Sequence, residues 1–168
     1  MQIVADDGTR FHVRAIRPDD KPLLSAALAR LSPETARRRF LTAKPRFSSS
    51  ELRYLTEVDG HDHVALVVTS PPRPDEIVAV GRFVRLIEDP GTAEFAIVVG
   101  DRFQRRGLGR RLAEMLAEEA QARGIHRFTA TTLSDNVAVD RLVATIAQRL
   151  THAPAAGGTR EMVAELAA

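Results

Sequence analysis

Ile97-Val98-Val99-Gly100-Asp101-Arg102-Phe103-Gln104-Arg105-Arg106-Gly107-Leu108-Gly109-Arg110-Arg111-Leu112 decides the fold. A β-branched apolar run passes through a polar, glycine-bearing loop. It then enters a segment with apolar residues at Leu108, Leu112, Met115, Leu116 and Ala120, the spacing of one helix face. The expected order is strand, loop, helix, with the helix from about Gly107 to Arg123 and Gly124 as its stop. Gly107 and Gly109 let the main chain come close to a ligand. The first amides of a helix have no internal acceptor, and the dipole there favours negative charge. Arg110 and Arg111 stand at the wrong end of that dipole, each at a cost of about 0.3–1 kcal/mol. A local rule is broken where function is often found, and a bound phosphate or diphosphate would make those arginines favourable.

Three nucleotide loops compete for this pattern. A P-loop needs Gly-Lys-Ser/Thr, and no Gly-Lys pair occurs. A dinucleotide fingerprint needs a third glycine where Leu112 stands. A short diphosphate loop of the form Gln-x-x-Gly-x-Gly remains.

Outward from this centre, Thr92 to Val99 and Arg127 to Leu133 read as strands on either side of the helix, the parallel unit of a mixed sheet. His63 to Thr69 and Ile77 to Leu86 precede them as strands, and short links favour an antiparallel meander. Ser70-Pro71-Pro72-Arg73-Pro74-Asp75 reads as a loop between those two. Gln2 to Ala5 and Phe11 to Ile16 form a small hairpin around Asp7-Gly8. Leu23, Leu24, Ala27, Leu28 and Leu31 give a helix after Pro18. Pro33 starts a second helix that runs through Phe40, and Ser48 to Glu51 starts a third. Asn136 to about Ala147 reads as a helix with Val139, Leu142, Val143 and Ile146 inward. Arg149 to Ala153 and Thr159 to Leu166 form a closing hairpin. The class is α/β: a mixed, mostly antiparallel central sheet flanked by helices.

Length and composition fit that reading. The 168 residues suit one domain, residues 1–168, with 44% hydrophobic and 27% charged residues. Cysteine is absent, so thiol catalysis, disulfides and iron–sulfur ligation are excluded. No 18-residue apolar run offers a membrane span. The start lacks the features of a secretory signal, so a cytoplasmic location is the expectation. Net charge is only +2. Arg102, Arg105, Arg106, Arg110 and Arg111 cluster, yet no aromatic platform accompanies them, which argues against single-stranded nucleic acid as partner. The five histidines show no metal-ligand spacing, so no metal is expected. Glu114, Glu118, Glu119 and Arg123 read as a solvated helix face.

Gln104-Arg105-Arg106-Gly107-Leu108-Gly109 resembles the acetyl-coenzyme A signature of the GNAT family of N-acetyltransferases. The order of elements around it is similar over nearly the whole chain. The resemblance implies a single GNAT-like domain with strands splayed around residues 92–133. It implies that amides of the 104–110 segment (Gln104, Arg105, Arg106, Gly107, Leu108, Gly109 and Arg110) hold the coenzyme A diphosphate. It also implies that the pantetheine arm pairs like an extra strand with Ile97, Val98 and Val99. Asn136 matches the asparagine that contacts this arm in many members; by its position it is equally a plain helix N-cap. Many members use a tyrosine in the following helix as the acid for the leaving thiolate. This chain has none there, its single tyrosine being Tyr54.

Glu94 is the one charge in the run Thr92 to Val99. An inner position predicts partial burial, which raises a carboxylate's pKa. A buried ion pair or an edge strand with Glu94 in water is the alternative. The functional reading comes from the acceptor: a lysine-like amine titrates near pH 10.4 and needs a base at pH 7. Ala93-Glu94-Phe95-Ala96 resembles bacterial protein-lysine acetyltransferases of the family, which implies Glu94 as catalytic base. Leu31 to Leu41 resembles the acceptor-side helices of that subgroup. The expected activity is acetyl transfer from acetyl-CoA to a primary amine, a protein lysine first. A small-molecule amine acceptor and a non-catalytic coenzyme A sensor stay open.

Overall fold

The computed structural model describes all residues, 1–168. Eight strands form one open sheet: β1 (Gln2–Val4), β2 (Arg10–Ala15), β3 (His63–Ser70), β4 (Arg73–Arg85), β5 (Thr92–Val99), β6 (Arg127–Leu133), β7 (Ala147–Pro154) and β8 (Thr159–Leu166). Their order is β1-β2-β3-β4-β5-β6-β8-β7. Five α-helices cover it: α1 (Lys21–Arg30), α2 (Pro33–Phe40), α3 (Ser49–Thr56), α4 (Leu108–Gln121) and α5 (Val137–Ala144).

Each neighbouring pair is antiparallel except β5 with β6, which α4 joins in parallel. That pairing spans only Thr92↔Arg127, Ala93↔Phe128 and Glu94↔Thr129. Beyond Glu94, β5 stays with β4 up to Val99, and β6 stays with β8 up to Leu133. The two strands part, and the sheet opens into a cleft. Phe95 and Phe128 stack at the fork with ring centroids 5.0 Å apart, and Phe83 lies 5.9 Å from Phe128.

The sheet's faces are packed unequally. On one, Leu108, Leu112 and Leu116 of α4 enter the main core, where all three are fully buried. Gly81 of β4 makes this possible, since a Cβ there would meet Leu116 Cδ1 at 2.6 Å. On the other face, beneath α1 and α3, a smaller core holds only Ile16, Leu24, Ala65, Val67, Ile77 and Val80. A cavity of about 250 Å³ remains beside it, under α1 and α2.

Two boundaries differ from the sequence expectation. Residues 70–75 are not all loop: β4 begins at Arg73, and only Pro71 and Pro72 turn. The register runs Thr69↔Ile77 and then Ser70↔Arg73. That bulge accommodates Pro74, which has no amide to donate to the ladder. The last helix ends at Ala144, and Ala147 opens β7. Ile146 is buried as expected, but from the turn between them. Arg123 is also not a solvated decoration. It donates to the Glu119 carbonyl at 2.7 Å and to the Gly60 carbonyl at 3.1 Å, tying the end of α4 to the loop before β3.

Candidate active site

The loop after β5 is built by local constraints. Arg105 and Gly107 both take positive φ, 59° and 81°, which turns the chain sharply into α4. The φ of Gly107 favours glycine, and a Cβ there would also press on the Asp6 carboxylate, 2.6 Å from Oδ1. The Gln104 side chain donates to the Val99 carbonyl at 2.9 Å and braces the loop on the strand end. Arg106 turns away from the cleft: its Nε donates to Asp7 at 3.0 Å and its guanidinium lies over the Phe11 ring. Leu108 is buried in the core at 1% exposure. For these two residues only the amides remain available to a ligand.

Those amides are the central feature. Helix α4 has no side-chain cap and no acidic residue in its first turn. The amides of Arg105 through Arg110 find no acceptor in the protein; the first bonded one is Arg111, to the Gly107 carbonyl at 3.1 Å. Native structures satisfy nearly all backbone donors with protein or solvent, so a run of free ones at a helix start is an anion site in form. Arg105 and Arg110 carry no ion pair and line the same opening.

The cleft between the parting strands has a volume of about 760 Å³. Of the expected residues, Glu94, Ile97, Val98, Val99, Gln104, Arg105, Gly107, Gly109, Arg110 and Asn136 line it. Asn136 is 8% exposed and accepts from the Val139 amide at 3.3 Å, so the N-cap is observed. Its side-chain amide donates to nothing in the protein and stands in the cleft wall. The cap and the ligand contact use different ends of one side chain and are compatible.

Glu94 differs from expectation in its burial. It is exposed, because the strand that would cover it has left: Glu94↔Thr129 is the last pair before the fork. It therefore stands at the apex of the cleft. Beside it the structure gathers residues the sequence reading passed over. Arg39 of α2 lines the cleft with Glu94 and lies over the Phe40 ring at 4.8 Å. Arg82 of β4 is opposite Ala96, at 5% exposure. Arg82 Nη1 donates to the Leu55 carbonyl and to His63 Nε2, both at 3.0 Å. Accepting that bond fixes His63 as the neutral Nδ1–H tautomer. Burial, then the Arg82 charge, pushes His63 down to about 4. Burial first, then Arg39, pushes Arg82 down to about 9, and Tyr54 opposes this. Arg82 is still cationic at neutral pH. Enclosure lowers Arg39 as well, with Glu94 and Tyr54 opposing it. Tyr54, far away in sequence, lies 5.0 Å from His63 ring to ring, outside the cleft lining. The signal that could have found Arg82 was the one used for Glu94: a lone charge in an apolar strand, Ile77 to Val84.

One carboxylate joins the two sides of the site. Asp101, just after β5, accepts from the Ser32 amide at 2.8 Å, Ser32 Oγ at 2.7 Å and Thr35 Oγ1 at 2.6 Å. Burial pushes Asp101 up, but these hydrogen bonds together outweigh it and hold the carboxyl below the usual carboxylate range. The start of α2 is thereby pinned to the segment that leads into the anion loop.

Comparisons with known proteins agree with this geometry. Residues 28–144 match the Acetyltransferase (GNAT) family. The chain is 36% identical over 137 residues to Acetyltransferase Pat of Mycolicibacterium smegmatis, which covers 81% of this chain and 40% of that protein. The chain thus spans well under half the length of that relative. The GNAT domain of S. lividans PAT superposes with a TM-score of 0.86 at 28% identity, over 99% of this chain and 96% of that one. A Salmonella typhimurium structure, yncA with its cofactor acetyl-CoA, shares the fold at 18% identity and a TM-score of 0.67, over 94% of each chain. The chain belongs to the GNAT family, whose members are acetyl-CoA-dependent acyltransferases.

Proposed function

We propose that residues 1–168 act as one catalytic domain that moves an acetyl group from acetyl-CoA to a primary amine, with a protein lysine as acceptor. The observation that carries this reading is the run of unbonded amides, Arg105 to Arg110, at the mouth of a cleft whose apex holds Glu94. The amides and Arg105 and Arg110 suit the coenzyme A diphosphate. The unpaired flank of Ile97 to Val99 suits an extended arm that adds like a strand, and the free amide of Asn136 suits one of its carbonyls.

Glu94 is then the proton acceptor. A carboxylate at the cleft apex can take a proton from the incoming ammonium, directly or through water. The freed lone pair forms the C–N bond as the thioester C–S bond breaks. A backbone amide near Val98 or Val99 polarises the carbonyl oxygen. No tyrosine or histidine lines the cleft to protonate the leaving thiolate. An alkyl thiol titrates near 8.5, so a thiolate can leave unprotonated and collect a proton from water. The lysine acceptor rests on the likeness of Ala93-Glu94-Phe95-Ala96 and Leu31 to Leu41 to protein-lysine acetyltransferases, and on the similarity to Pat.

The test is incubation with labelled acetyl-CoA and a lysate, followed by separation of protein-bound from small-molecule label. Label on protein lysines supports the reading; label on small amines alone moves the acceptor to that class. Absence of micromolar acetyl-CoA binding by calorimetry would remove it.

A further inference from the structure

Arg82 is the most buried arginine of the chain and has no anionic partner. One terminal nitrogen is used by Leu55 and His63, while its Nε is buried with no hydrogen-bond partner. Arg39 makes no hydrogen bond or direct ion pair; its guanidinium lies over the Phe40 ring and feels Glu94 only across the cleft. The other arginines that are not exposed are Arg14, Arg85, Arg106, Arg123, Arg127 and Arg160. Each of them faces an Asp or Glu carboxylate. Burying a guanidinium without an anion is costly, and a purely structural arginine would be expected to bring its carboxylate with it, as those six do.

Both arginines line the cavity of about 250 Å³ beneath α1 and α2, whose walls are mostly apolar, among them Leu28, Phe47, Val80 and Val98. Of its other charged residues, Arg30 and Arg102 are paired with Glu76, and Asp101 is held by Ser32 and Thr35. The cavity adjoins the main cleft: Arg39, Phe40, Ala96, Val98 and Phe103 line both. Ala96, two residues along β5 from Glu94, lies in the shared wall. An acetyl group would bring no charge to this place. A short alkyl chain ending in a carboxylate would put methylenes on the apolar wall and oxygens on the guanidinium pair, the geometry arginine serves best.

We propose that Arg39 and Arg82 form a carboxylate subsite at the acyl-transfer end of the cleft, for a substrate carrying a carboxylate a few carbons from the reacting centre. The proposal rests on the acyltransferase reading above. Two sources share this chemistry: the far carboxylate of a dicarboxylic acyl donor, such as succinyl-CoA, and the carboxylate of an amino-acid acceptor. In both, the C–N bond forms, the C–S bond breaks and Glu94 takes the amine proton, while the bound carboxylate is a bystander.

The experiment has three parts. Succinyl-CoA is compared with acetyl-CoA as donor to lysate protein, and free amino acids are compared with their carboxamides as acceptors from acetyl-CoA. Separately, with no coenzyme present, millimolar glutarate is tested for stabilisation of the protein against heat. Wild type is expected to prefer the charged member at least tenfold in kcat/KM in one of the two activity arms, and that arm identifies the source. Glutarate is expected to raise Tm by 2 °C or more. Arg82→Met and the less buried Arg39→Met lose both effects, and Arg82→Lys regains part of the preference. No preference in either arm, no response to glutarate, or effects that survive both methionine variants would overturn the subsite. Calorimetry with coenzyme A separates the two readings. Binding with flat arms removes only the subsite, and no binding removes both.

Discussion

The two halves of the site are made differently. The anion loop is one continuous segment, residues 104–110, and works through main-chain groups that no substitution elsewhere supplies. The acceptor half is assembled from several elements: Glu94 of β5 and Arg39 of α2 line the cleft, Arg82 of β4 lines the adjoining cavity, and His63 of β3 and Tyr54 of α3 stack behind Arg82. The first half is set by backbone conformation and tolerates little. The second is set by register across the sheet and works through side-chain charge. Damage to the first should remove binding; damage to the second should spare binding and change turnover or selectivity.

Gly107→Glu is the strongest way to break this contrast. It forces a side chain into a φ of 81°, against Asp6, and puts a negative charge where a diphosphate is expected. Coenzyme binding by calorimetry should fall more than 100-fold; wild-type affinity would refute the loop. Gly109→Ala sharpens the point, since its Cβ would meet Leu142 and Val99 only at ordinary contact distances of 3.5 and 3.6 Å. That variant should fold normally yet bind coenzyme about tenfold more weakly, because a methyl group enters the cleft. On the other half, Glu94→Gln should lower kcat at pH 7 by about 10²- to 10⁴-fold with coenzyme affinity retained. Its rate should recover at high pH, and a pH profile parallel to wild type would remove the base.

Asp101→Ala tests the link between the halves. Loss of three hydrogen bonds at the start of α2 should cost about 1 kcal/mol, or roughly 2–4 °C in Tm. The acceptor KM should rise several-fold while coenzyme affinity stays near wild type. The smallest effect belongs to His63→Gln. His63 is pushed down to about 4 in the fold, so between about pH 6.5 and 4 the unfolded chain binds a proton that the folded one does not. Stability from this group is complete above pH 6.5 and is lost on acidification through that window. Glutamine does not titrate, so the stability-versus-pH curve of the variant should be flatter there in denaturant titrations.

What was legible in the sequence follows the same division. The loop could be read because glycines, helix start and misplaced arginines are all local signals. The meander and the parallel unit could be read because periodicity and short links constrain them, whereas the place of β8 between β6 and β7 is set by tertiary pairing. Arg82 was missed because its importance lies in the pairing Arg82↔Ala96, which places it two residues from Glu94 across a strand boundary the sequence does not show. Arg106 was grouped with the ligand arginines, and only the packed hairpin reveals that Asp7 holds its side chain. Glu94 was expected to be partly buried because the depth of the fork is a tertiary property. The Pro-rich stretch looked like a breaker because a bulge can absorb a missing donor only where a partner strand permits it.

The parting of β5 and β6 leaves the chain with more rims than its two outermost strands. From Phe95 to Val99 and from Ala130 to Leu133, each strand has a ladder on one side only. Such rims invite any extended chain to dock. Here they face one another inside a crevice, which discourages a second copy of the protein and welcomes a slim, strand-like guest. Occupancy by that guest should slow amide hydrogen exchange along both rims at once, so that the half-sheets either side of the fork are shielded together.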